Sequence, residues 1–385
     1  MADRYSELRS AVSGRSLPLA LLDLDALEQN AHTLLGRAQG LPIRLCSKSL
    51  RSVYVLRHLQ QLSPHFRGVL CYSPREAAFL AAQGLRDLLV AYPSVDPGDI
   101  RAAVEATAQG ADICLMFDDA EQLGPWVEAA RAARVTLRAC IDLDLSSDFR
   151  LLYFGVRRSP LRTPEAAIAL AEQIRAAEDA LSFAGLMGYE AQIAGPQDDV
   201  PHDALKSRAL RLLKRRSVRE VHARRAAVVA LLRARGFALG FVNGGGTGSL
   251  DSSAQDRSVT ELAAGSGMYA PGLFDHFRGL TLAPALFFAL PVARRPSADI
   301  VTCSFGGYIA SGPSGRDRLP IPTYPLGLSL LALEGAGEVQ TPVQGPSAAQ
   351  LALGDPVFFR HAKAGELAER FMQLCLLRNG QIIDE

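Results

Sequence analysis

Short apolar runs alternate with longer stretches of helical spacing along the first two thirds of the chain. Runs such as 68–72 (GVLCY), 88–92 (LLVAY) and 113–117 (ICLMF) carry no charge and suit buried strands. The stretch 74–83 begins with proline, which favours the first turn of a helix. The pattern predicts strands at 18–25, 43–52, 68–72, 88–92, 113–117, 136–144, 182–190, 241–246 and 261–264, and helices at 26–39, 53–62, 74–83, 99–109, 119–134, 164–177 and 203–235.

This alternation predicts an α/β protein built on a parallel sheet. Right-handed crossovers connect such strands, and about eight repeats in about 250 residues suit a closed (β/α)8 TIM-type barrel. An open, doubly wound sheet is the structural alternative. The GxGxxG motif of dinucleotide-binding proteins does not follow the first strand, which disfavours the dinucleotide-binding version of that alternative.

The pattern changes after about residue 279, where glycine and proline cluster between short strand-like runs. Asn379-Gly380, flanked by apolar runs, is typical of a hairpin turn. We therefore predict a cofactor-binding barrel domain at 18–279 and a C-terminal β-rich domain at 280–385, which residues 1–17 are candidates to join. The strand-like runs of this second domain are 280–292, 299–303, 328–333, 356–361 and 373–377.

Composition narrows the range of functions. The net charge is +1, which gives no electrostatic reason to expect nucleic acid or an anionic membrane as partner. The six cysteines form no CxxC pair, which is typical of reduced thiols in the cytoplasm. The N-terminus has no apolar signal region, and no apolar run is long enough to span a bilayer. We expect a cytoplasmic protein.

Lys48 lies near the end of the predicted strand 43–52, among apolar neighbours such as Leu45 and Leu50. A charged lysine in a buried strand is costly unless it is neutralised or paired. A desolvated lysine has a lowered pKa and becomes a nucleophile that forms Schiff bases. The alternative is a structural lysine that reaches solvent or pairs with a carboxylate. This stretch alone leaves both interpretations open.

Two glycine-rich turns, 243–248 (NGGGTG) and 265–269 (GSGMY), follow the last two predicted barrel strands. Backbone N–H groups of such turns can converge on an anion, and Thr247 adds a hydroxyl. The alternative is two tight turns that need positive φ. Barrels commonly bind phosphate after their last two strands. Together with Lys48, the turns favour pyridoxal 5′-phosphate, which needs a lysine for its aldehyde and a cradle for its phosphate.

Six segments carry a family resemblance, in the same order and over nearly the whole chain: 19–25, 43–50 (IRLCSKSL), 185–195 (GLMGYEAQIAG), 243–249 (NGGGTGS), 261–269 (ELAAGSGMY) and 354–366 (GDPVFFRHAKAGE). The chain resembles the pyridoxal-phosphate enzymes of the alanine racemase fold (type III). The more similar branch contains D-threonine aldolase and D-serine dehydratase, including proteins called amino-acid deaminase/aldolase. The resemblance implies an N-terminal barrel, a C-terminal β domain and a homodimer with active sites near the interface.

Carried over residue by residue, the resemblance makes Lys48 the lysine that bonds the cofactor. It places Tyr189, at the end of its strand, in reach of cofactor or substrate. The cofactor-binding residues that it implies are Lys48, Tyr189, Asn243, Gly245, Gly246, Thr247, Ser266, Gly267 and Met268.

The sequence departs from this family at two points. Metal-dependent members carry a His-x-Asp or His-x-Cys pair that holds a divalent metal, whereas this chain has His361 and Lys363. A protonated lysine cannot ligate a cation. Because alternate residues of a strand share a face, we expect Lys363 to supply the positive charge in the metal's place, with no metal required and His361 left as the one candidate metal ligand of the pair. The alternative is that the strand ends at His361 and Lys363 is solvated. The family's Arg-x-Gly is replaced by Tyr153-Phe154-Gly155, which leaves the contacts to the cofactor's ring nitrogen and O3′ open.

The sequence therefore predicts a pyridoxal-phosphate-dependent lyase. It would act on a small D-configured β-hydroxy amino acid, either by retro-aldol cleavage or by dehydration and deamination, with His361 handling the β-hydroxyl. An amino-acid racemase is the alternative, with Tyr308 or Tyr324 as its second acid–base group. A non-catalytic cofactor-binding protein is a further alternative, which the extra β domain disfavours. Asp142 and Asp144 end a predicted strand and suit either a functional role or loop capping. The identity of the amino acid and the bond that breaks stay open.

Overall fold

The fold was obtained as a computed structural model, which describes residues 3–149, 152–201 and 203–385. Residues 1 and 2 of the predicted N-terminal segment 1–17 lie outside the described residues. The chain divides into two compact units. The barrel unit is Leu34–Gly265, and the sheet unit combines Met1–Thr33 with Ser266–Glu385.

The strands are, in chain order, β1 Leu19–Asp23, β2 Ile43–Cys46, β3 Phe66–Cys71, β4 Leu88–Val90, β5 Ile113–Phe117, β6 Leu137–Asp142, β7 Ser147–Asp148, β8 Tyr153–Phe154, β9 Leu181–Met187, β10 Phe241–Gly244, β11 Glu261–Ala264, β12 Leu286–Ser297, β13 Ile300–Ser304, β14 Ile321–Tyr324, β15 Ser329–Leu330, β16 Gln340–Gln344, β17 Pro356–Arg360, β18 Cys375–Arg378 and β19 Gln381–Asp384.

The α-helices are α1 Arg4–Ala11, α2 Leu24–Arg37, α3 Ser47–Leu50, α4 Val53–Leu62, α5 Pro74–Ala82, α6 Pro97–Ala108, α7 Leu123–Ala133, α8 Pro164–Ala176, α9 Ala191–Ala194, α10 Ala204–Ala234, α11 Leu250–Ala254 and α12 Ser266–Tyr269. Several begin as the sequence predicts. Ser73 caps α5, whose first residue is Pro74, and Asp96 caps α6. Within the described residues, no helix has the length and apolarity needed to cross a membrane.

The barrel unit contains a closed barrel of eight parallel strands in the order β10-β11-β2-β3-β4-β5-β6-β9. The predicted (β/α)8 barrel is confirmed. Its apolar interior cluster takes alternate residues from the strands, for example Cys114 and Met116 of β5 and Cys140 of β6. Residues two apart on a strand share a face, so the sequence register decides which side chains fill the barrel.

The sheet unit contains a strand-rich domain, as the sequence predicts for the C-terminal part of the chain. Its strands follow the order β15-β16-β13-β12-β1-β18-β19, with β17 pairing with β12 and β14. The hairpin between β18 and β19 turns at Asn379 and Gly380, both with positive φ. Leu8 and Val12 pack with Phe287 and Phe358 in the core of this unit.

The prediction that residues 18–25 open the barrel is wrong. β1 pairs antiparallel with β12 and parallel with β18, both in the sheet unit. All five residues of β1 are buried. A continuous apolar run is typical of a barrel strand, but this strand shows that it also fits the centre of a mixed sheet. The predicted domain limits, 18–279 and 280–385, stay a prediction. The packing of the two units does not test which stretch of the chain folds alone or binds the cofactor alone.

The prediction that Lys48 lies on a buried strand is also wrong. β2 ends at Cys46, and Lys48 is an exposed residue of the short helix α3. Three residues of this helix are buried, namely Ser47, Ser49 and Leu50. Their burial explains why the segment has the pattern of a buried strand. The lysine is presented outward at the end of a barrel strand.

Candidate active site

Chemically reactive side chains follow the carboxyl ends of several barrel strands. Lys48 comes two residues after β2, Tyr92 two residues after β4, and Tyr189 two residues after β9. The glycine loop, residues 243–248, begins at the end of β10. Parallel barrel strands end at the same rim, which is where (β/α)8 proteins place their active sites.

Lys48 donates a hydrogen bond from Nζ to the Tyr92 hydroxyl, with an Nζ–Oη distance of 2.7 Å. The same ammonium lies 5.4 Å from the centroid of the Tyr92 ring. Ser47 Oγ donates to the Leu70 carbonyl at 3.1 Å and anchors the start of α3. Lys48 is thereby held at the rim by one hydroxyl, which sequence reasoning missed. The only sequence signal for Tyr92 was its position at the end of a predicted barrel strand.

Gly265 allows the chain after β11 to pass close to this helix. A Cβ atom at Gly265 would lie 2.8 Å from the Cys46 carbonyl oxygen and 2.9 Å from the Ser49 Cβ. Any side chain at this position would therefore push against the segment that carries the lysine.

The glycine loop has the close backbone approach that a phosphate cradle requires. Gly245 has a φ of +91°. A Cβ at Gly246 would lie 3.1 Å from Tyr189 Cε2 and 3.2 Å from Ala194 Cβ. Thr247 is buried, and the Ser249 amide donates to the Gly246 carbonyl at 2.9 Å. The structure thus brings the predicted residues Tyr189 and Gly246 together.

A buried charge network supports both the loop and Tyr189. Arg225 of α10 donates to Glu190 Oε2 at 2.9 Å and to Asp256 Oδ2 at 2.5 Å. Glu190 also accepts hydrogen bonds from the Ser249 and Ser253 hydroxyls. Arg225 and Glu190 are each 1% exposed, so neither charge has solvent to compensate it. Sequence reasoning missed this network because its members lie far apart in the chain.

The side-chain hydroxyl of Tyr189 is held in its neutral, protonated form. Burial raises its pKa to about 12, and the Glu190 carboxylate acts in the same direction. The Arg158 guanidinium lies 5.9 Å from the Tyr189 ring centroid and favours the ionised form. At neutral pH the hydroxyl keeps its proton and can donate a hydrogen bond.

Asn243, a predicted cofactor-binding residue, is buried inside the barrel unit. Its Nδ2 donates to Glu261 Oε1 at 2.9 Å, and Glu261 in turn receives two hydrogen bonds from Arg44, each 2.8 Å long. The described contacts of Asn243 are therefore structural ones that join β10 to β11.

Ser266, Gly267 and Met268 form the start of α12, which follows β11 in the chain. They belong to the sheet unit. Gly267 and Met268 are buried, and the Met268 carbonyl accepts a hydrogen bond from Asn30 Nδ2 at 3.1 Å.

His361 and Lys363 lie just beyond β17, which ends at Arg360. The expectation that the pair sits on one strand face is therefore wrong. His361 is buried, and its Nδ1 lies against the backbone of Lys363. Burial lowers the pKa of His361, so the ring is neutral at pH 7. Lys363 Nζ donates to the Ser311 carbonyl at 2.7 Å, and the Ser311 amide donates to Glu366 Oε2 at 2.8 Å.

The residues around His361 do not fit a divalent metal. Lys363 offers only hydrogen-bond donors in its ionised state. Across residues 3–149, 152–201 and 203–385, no three His, Cys, Asp or Glu side chains come together as a metal-holding group. We derive no chemical step through a metal.

Four other candidates from the sequence have distinct environments. Asp144 accepts from the Ser146 amide at 2.9 Å and pairs with Arg162 at 3.2 Å, a loop-capping role. Asp142 is buried at the end of β6. Tyr308 packs edge-on against Phe288 with ring centroids 5.0 Å apart, and Tyr324 lies 5.9 Å from Phe287.

Comparison with known proteins identifies the family. The family model described as "Alanine racemase, N-terminal domain" matches residues 22–270. The chain belongs to this family. The resemblance inferred from sequence segments is confirmed, and the family implies pyridoxal phosphate as cofactor.

Curated relatives of the chain are aldolases by name. The chain is 28% identical over 251 residues to a 3-hydroxy-D-aspartate aldolase of Paracoccus denitrificans (strain Pd 1222), covering 65% of this chain but 59% of the relative. It is 26% identical over 292 residues to a D-threonine aldolase of Arthrobacter sp, covering 75% of this chain and 71% of the relative. The match thus spans less than two thirds of the first of these relatives.

Solved structures share the alanine racemase fold over almost the whole chain. The D-threonine aldolase from Filomicrobium marinum superimposes with a TM-score of 0.80 at 21% identity, covering 96% of this chain and 93% of the other. The D-threo-3-hydroxyaspartate dehydratase from Delftia sp. HT23 gives a TM-score of 0.74 at 18% identity, covering 96% and 97%. At these identities the likeness shows the fold alone.

The residues at the barrel rim fit the family's cofactor. Lys48 is exposed at the rim, where its amine is accessible to a cofactor aldehyde, and Tyr92 holds it through a hydrogen bond. In the glycine loop, a Cβ added at Gly246 would press against Tyr189 and Ala194, so the glycine lets the loop backbone lie close to Tyr189. Asp142 Oδ1 is buried and, among the described residues, has no hydrogen-bond partner. A polar atom without a partner in a buried site suits a bound polar ligand.

Proposed function

We propose that this protein is a pyridoxal-phosphate-dependent lyase acting on a small D-configured β-hydroxy amino acid. The observation that carries the proposal is Lys48, held by Tyr92 at the rim where the barrel also presents its glycine loop. The names of the two curated relatives support the D configuration and the β-hydroxyl. Loss of a proton from that hydroxyl starts retro-aldol cleavage, and loss of the hydroxyl itself is the dehydration variant.

When bound, the cofactor supplies an electron sink for the bond that breaks. Lys48 would hold the cofactor, and its amine would serve as a proton carrier. Tyr92 holds that amine at a fixed place through its hydroxyl. The glycine loop and Thr247 bind phosphate, and the neutral Tyr189 hydroxyl donates a hydrogen bond towards cofactor or substrate.

For the sheet unit we propose proton transfer by His361 and charge supply by Lys363. The neutral imidazole is able to accept a proton from a hydroxyl, since burial keeps it unprotonated at pH 7. The ammonium of Lys363 is fixed by the Ser311 carbonyl at 2.7 Å and needs no metal to provide positive charge. Ser266, Gly267 and Met268 remain proposed cofactor contacts on the basis of the resemblance.

We further propose that the protein is a homodimer in the cytoplasm. The small molecules that it binds are amino-acid substrates. The resemblance supports the dimer. The six cysteines all carry free thiols, which favours a reducing compartment. The domain limits 18–279 and 280–385 are part of the same proposal.

Substrate assays test the function directly. The purified protein, supplied with pyridoxal phosphate, is incubated in deuterated water with D-3-hydroxyaspartate, D-threonine or D-serine. The proposal predicts glycine plus an aldehyde, or a keto acid plus ammonia, from at least one of them. Formation of the opposite enantiomer labelled at Cα, without cleavage products, would instead identify a racemase. Absence of turnover in a cofactor-loaded protein would favour a non-catalytic binding role.

A further inference from the structure

Two buried carboxyl groups end neighbouring strands of the barrel. Met116 of β5 and Cys140 of β6 belong to the interior cluster, and Asp118 and Asp142 lie two residues further along the chain. Alternate residues of a strand share a face, so the Asp142 carboxyl, on the last residue of β6, points to the barrel interior at the carboxyl rim, and Asp118 follows one residue after the end of β5. Asp118 is 8% exposed and Asp142 is 9% exposed.

The two carboxyls differ in their hydrogen bonds. Asp118 Oδ1 accepts from Gln122 Nε2 at 2.6 Å. Asp142 Oδ1 is fully shielded and has no hydrogen-bond partner anywhere in the part of the chain that the structure describes. Buried polar atoms in native proteins are normally hydrogen-bonded, so this unpaired oxygen is a candidate partner for a bound ligand.

Burial and two neighbouring carboxyls favour the protonated form of Asp142. Burial raises its pKa well above the usual range, and the neighbouring carboxyls Asp118 and Asp144 act in the same direction. Arg158 opposes them by favouring the ionised form. The protonated carboxyl, which these effects favour, offers an O–H donor.

The position of Asp142 indicates which part of a ligand it meets. In the closed strand order, β6 is four places from β2, the strand that precedes Lys48. Asp142 therefore faces the rim from the side opposite the lysine. A carboxyl group does not bind phosphate well, and the glycine loop already provides the phosphate cradle.

We propose that Asp142 is a cofactor-binding residue whose carboxyl donates a hydrogen bond to the ring of bound pyridoxal phosphate. This inference rests on the proposed function and adds a ring contact to it. The resemblance left that contact open, because Tyr153-Phe154-Gly155 replaces the family's Arg-x-Gly.

The test measures equilibrium binding of pyridoxal phosphate to the full-length protein after its cofactor has been removed. Visible absorbance reports the binding. Asp142→Asn keeps a hydrogen-bond donor, whereas Asp142→Leu removes it. Glu128→Gln, at an exposed position of α7, is the matched control. We expect Asn and the control to stay within about twofold of wild type, and Leu to bind about tenfold more weakly with a shifted absorption maximum. Replacing a buried, unpaired polar group by leucine should not lower the melting temperature, so misfolding is separated from lost binding.

Each possible result either supports or contradicts the proposed role of Asp142. If wild type binds the cofactor on Lys48 and Asp142→Leu binds equally well with an unshifted band, the inference fails and the proposed function stands. Equal losses in Asn and Leu contradict the neutral-donor assignment. If wild type takes up no pyridoxal phosphate, the proposed function fails and the inference fails with it.

Discussion

The Lys48 ammonium donates a hydrogen bond to the Tyr92 hydroxyl at 2.7 Å, joining the segments that follow β2 and β4 of the barrel. This contact fixes the one lysine that the proposed chemistry requires. A flexible lysine would lose side-chain entropy each time it had to reach the same position, and the tyrosine reduces that loss in advance.

Replacing Tyr92 by phenylalanine removes the hydroxyl and keeps the ring beside Lys48. We expect kcat/KM to fall about tenfold, the effect of losing one charge-assisted hydrogen bond. Steady-state kinetics measure the change, with whichever of D-3-hydroxyaspartate, D-threonine and D-serine the wild-type protein turns over. Tyr54→Phe is the control, because Tyr54 is exposed and stacks only on His58 among the ring contacts of the described residues. Equal activity of wild type and Tyr92→Phe would show that the contact has no functional role.

Gly246→Ala should weaken cofactor binding. The new methyl group would lie 3.1 Å from Tyr189 Cε2 and 3.2 Å from Ala194 Cβ, so the loop or Tyr189 must move. Overpacking of this kind costs about 1–3 kcal/mol, which corresponds to a dissociation constant roughly five- to a hundredfold higher. Gly124→Ala is the matched control, since nothing lies within 4 Å of its added Cβ. An unchanged dissociation constant for Gly246→Ala would contradict the cradle.

Arg225→Met should destabilise the fold strongly. It leaves Glu190 and Asp256 buried without their cation, and breaking such a buried pair costs about 3–5 kcal/mol. Urea unfolding measures the free energy of unfolding. Arg131→Met breaks an exposed pair with Asp179 and should have no measurable effect. Similar midpoints for the two variants would mean that the buried network does not support the barrel.

His361 should make the stability depend on pH. Burial lowers its pKa from 6.5, so the folded state binds fewer protons than the unfolded state below that pH. The stability contributed by the neutral ring is present above pH 6.5 and is lost as the pH falls through and below this value. His361→Gln should therefore show a shallower fall of melting temperature between about pH 7 and pH 5. An exposed control, His65→Gln, should keep the wild-type slope.

Removal of metal should leave activity unchanged. We propose that Lys363 supplies positive charge in place of a metal, and its ammonium is bound to the Ser311 carbonyl. We predict equal turnover with and without a chelator, and no stimulation by added Mn²⁺ or Mg²⁺. A stoichiometric metal in the purified protein, with activity that disappears on chelation and returns on its addition, would refute the assignment of Lys363.

The barrel was predictable because its strands are short and its helices begin at recognisable caps, such as Ser73 with Pro74. β1 was misplaced because its residues are buried on both faces in a mixed sheet, and periodicity does not distinguish this from a barrel strand. Lys48 was found by its type and its place in the chain. Its burial was overestimated because Ser47, Ser49 and Leu50 point inward around it.

The supporting residues of the site were not predictable from the sequence. The sequence pattern places Arg225 in a basic surface helix. In the structure, however, Arg225 is 1% exposed and pairs with Glu190, 35 positions away in the chain. Ion pairs between such distant positions depend on the tertiary fold, and local pattern carries no information about them. Tyr92 was overlooked for the same reason.

The central claim is that Lys48 binds pyridoxal phosphate covalently. The direct measurement is the absorption spectrum of the purified protein before and after borohydride, followed by peptide mapping of the reduced adduct. The account predicts a visible band that borohydride removes and a pyridoxyl group on the peptide containing Lys48. A colourless protein that takes up no pyridoxal phosphate, or an adduct on another lysine, would contradict it.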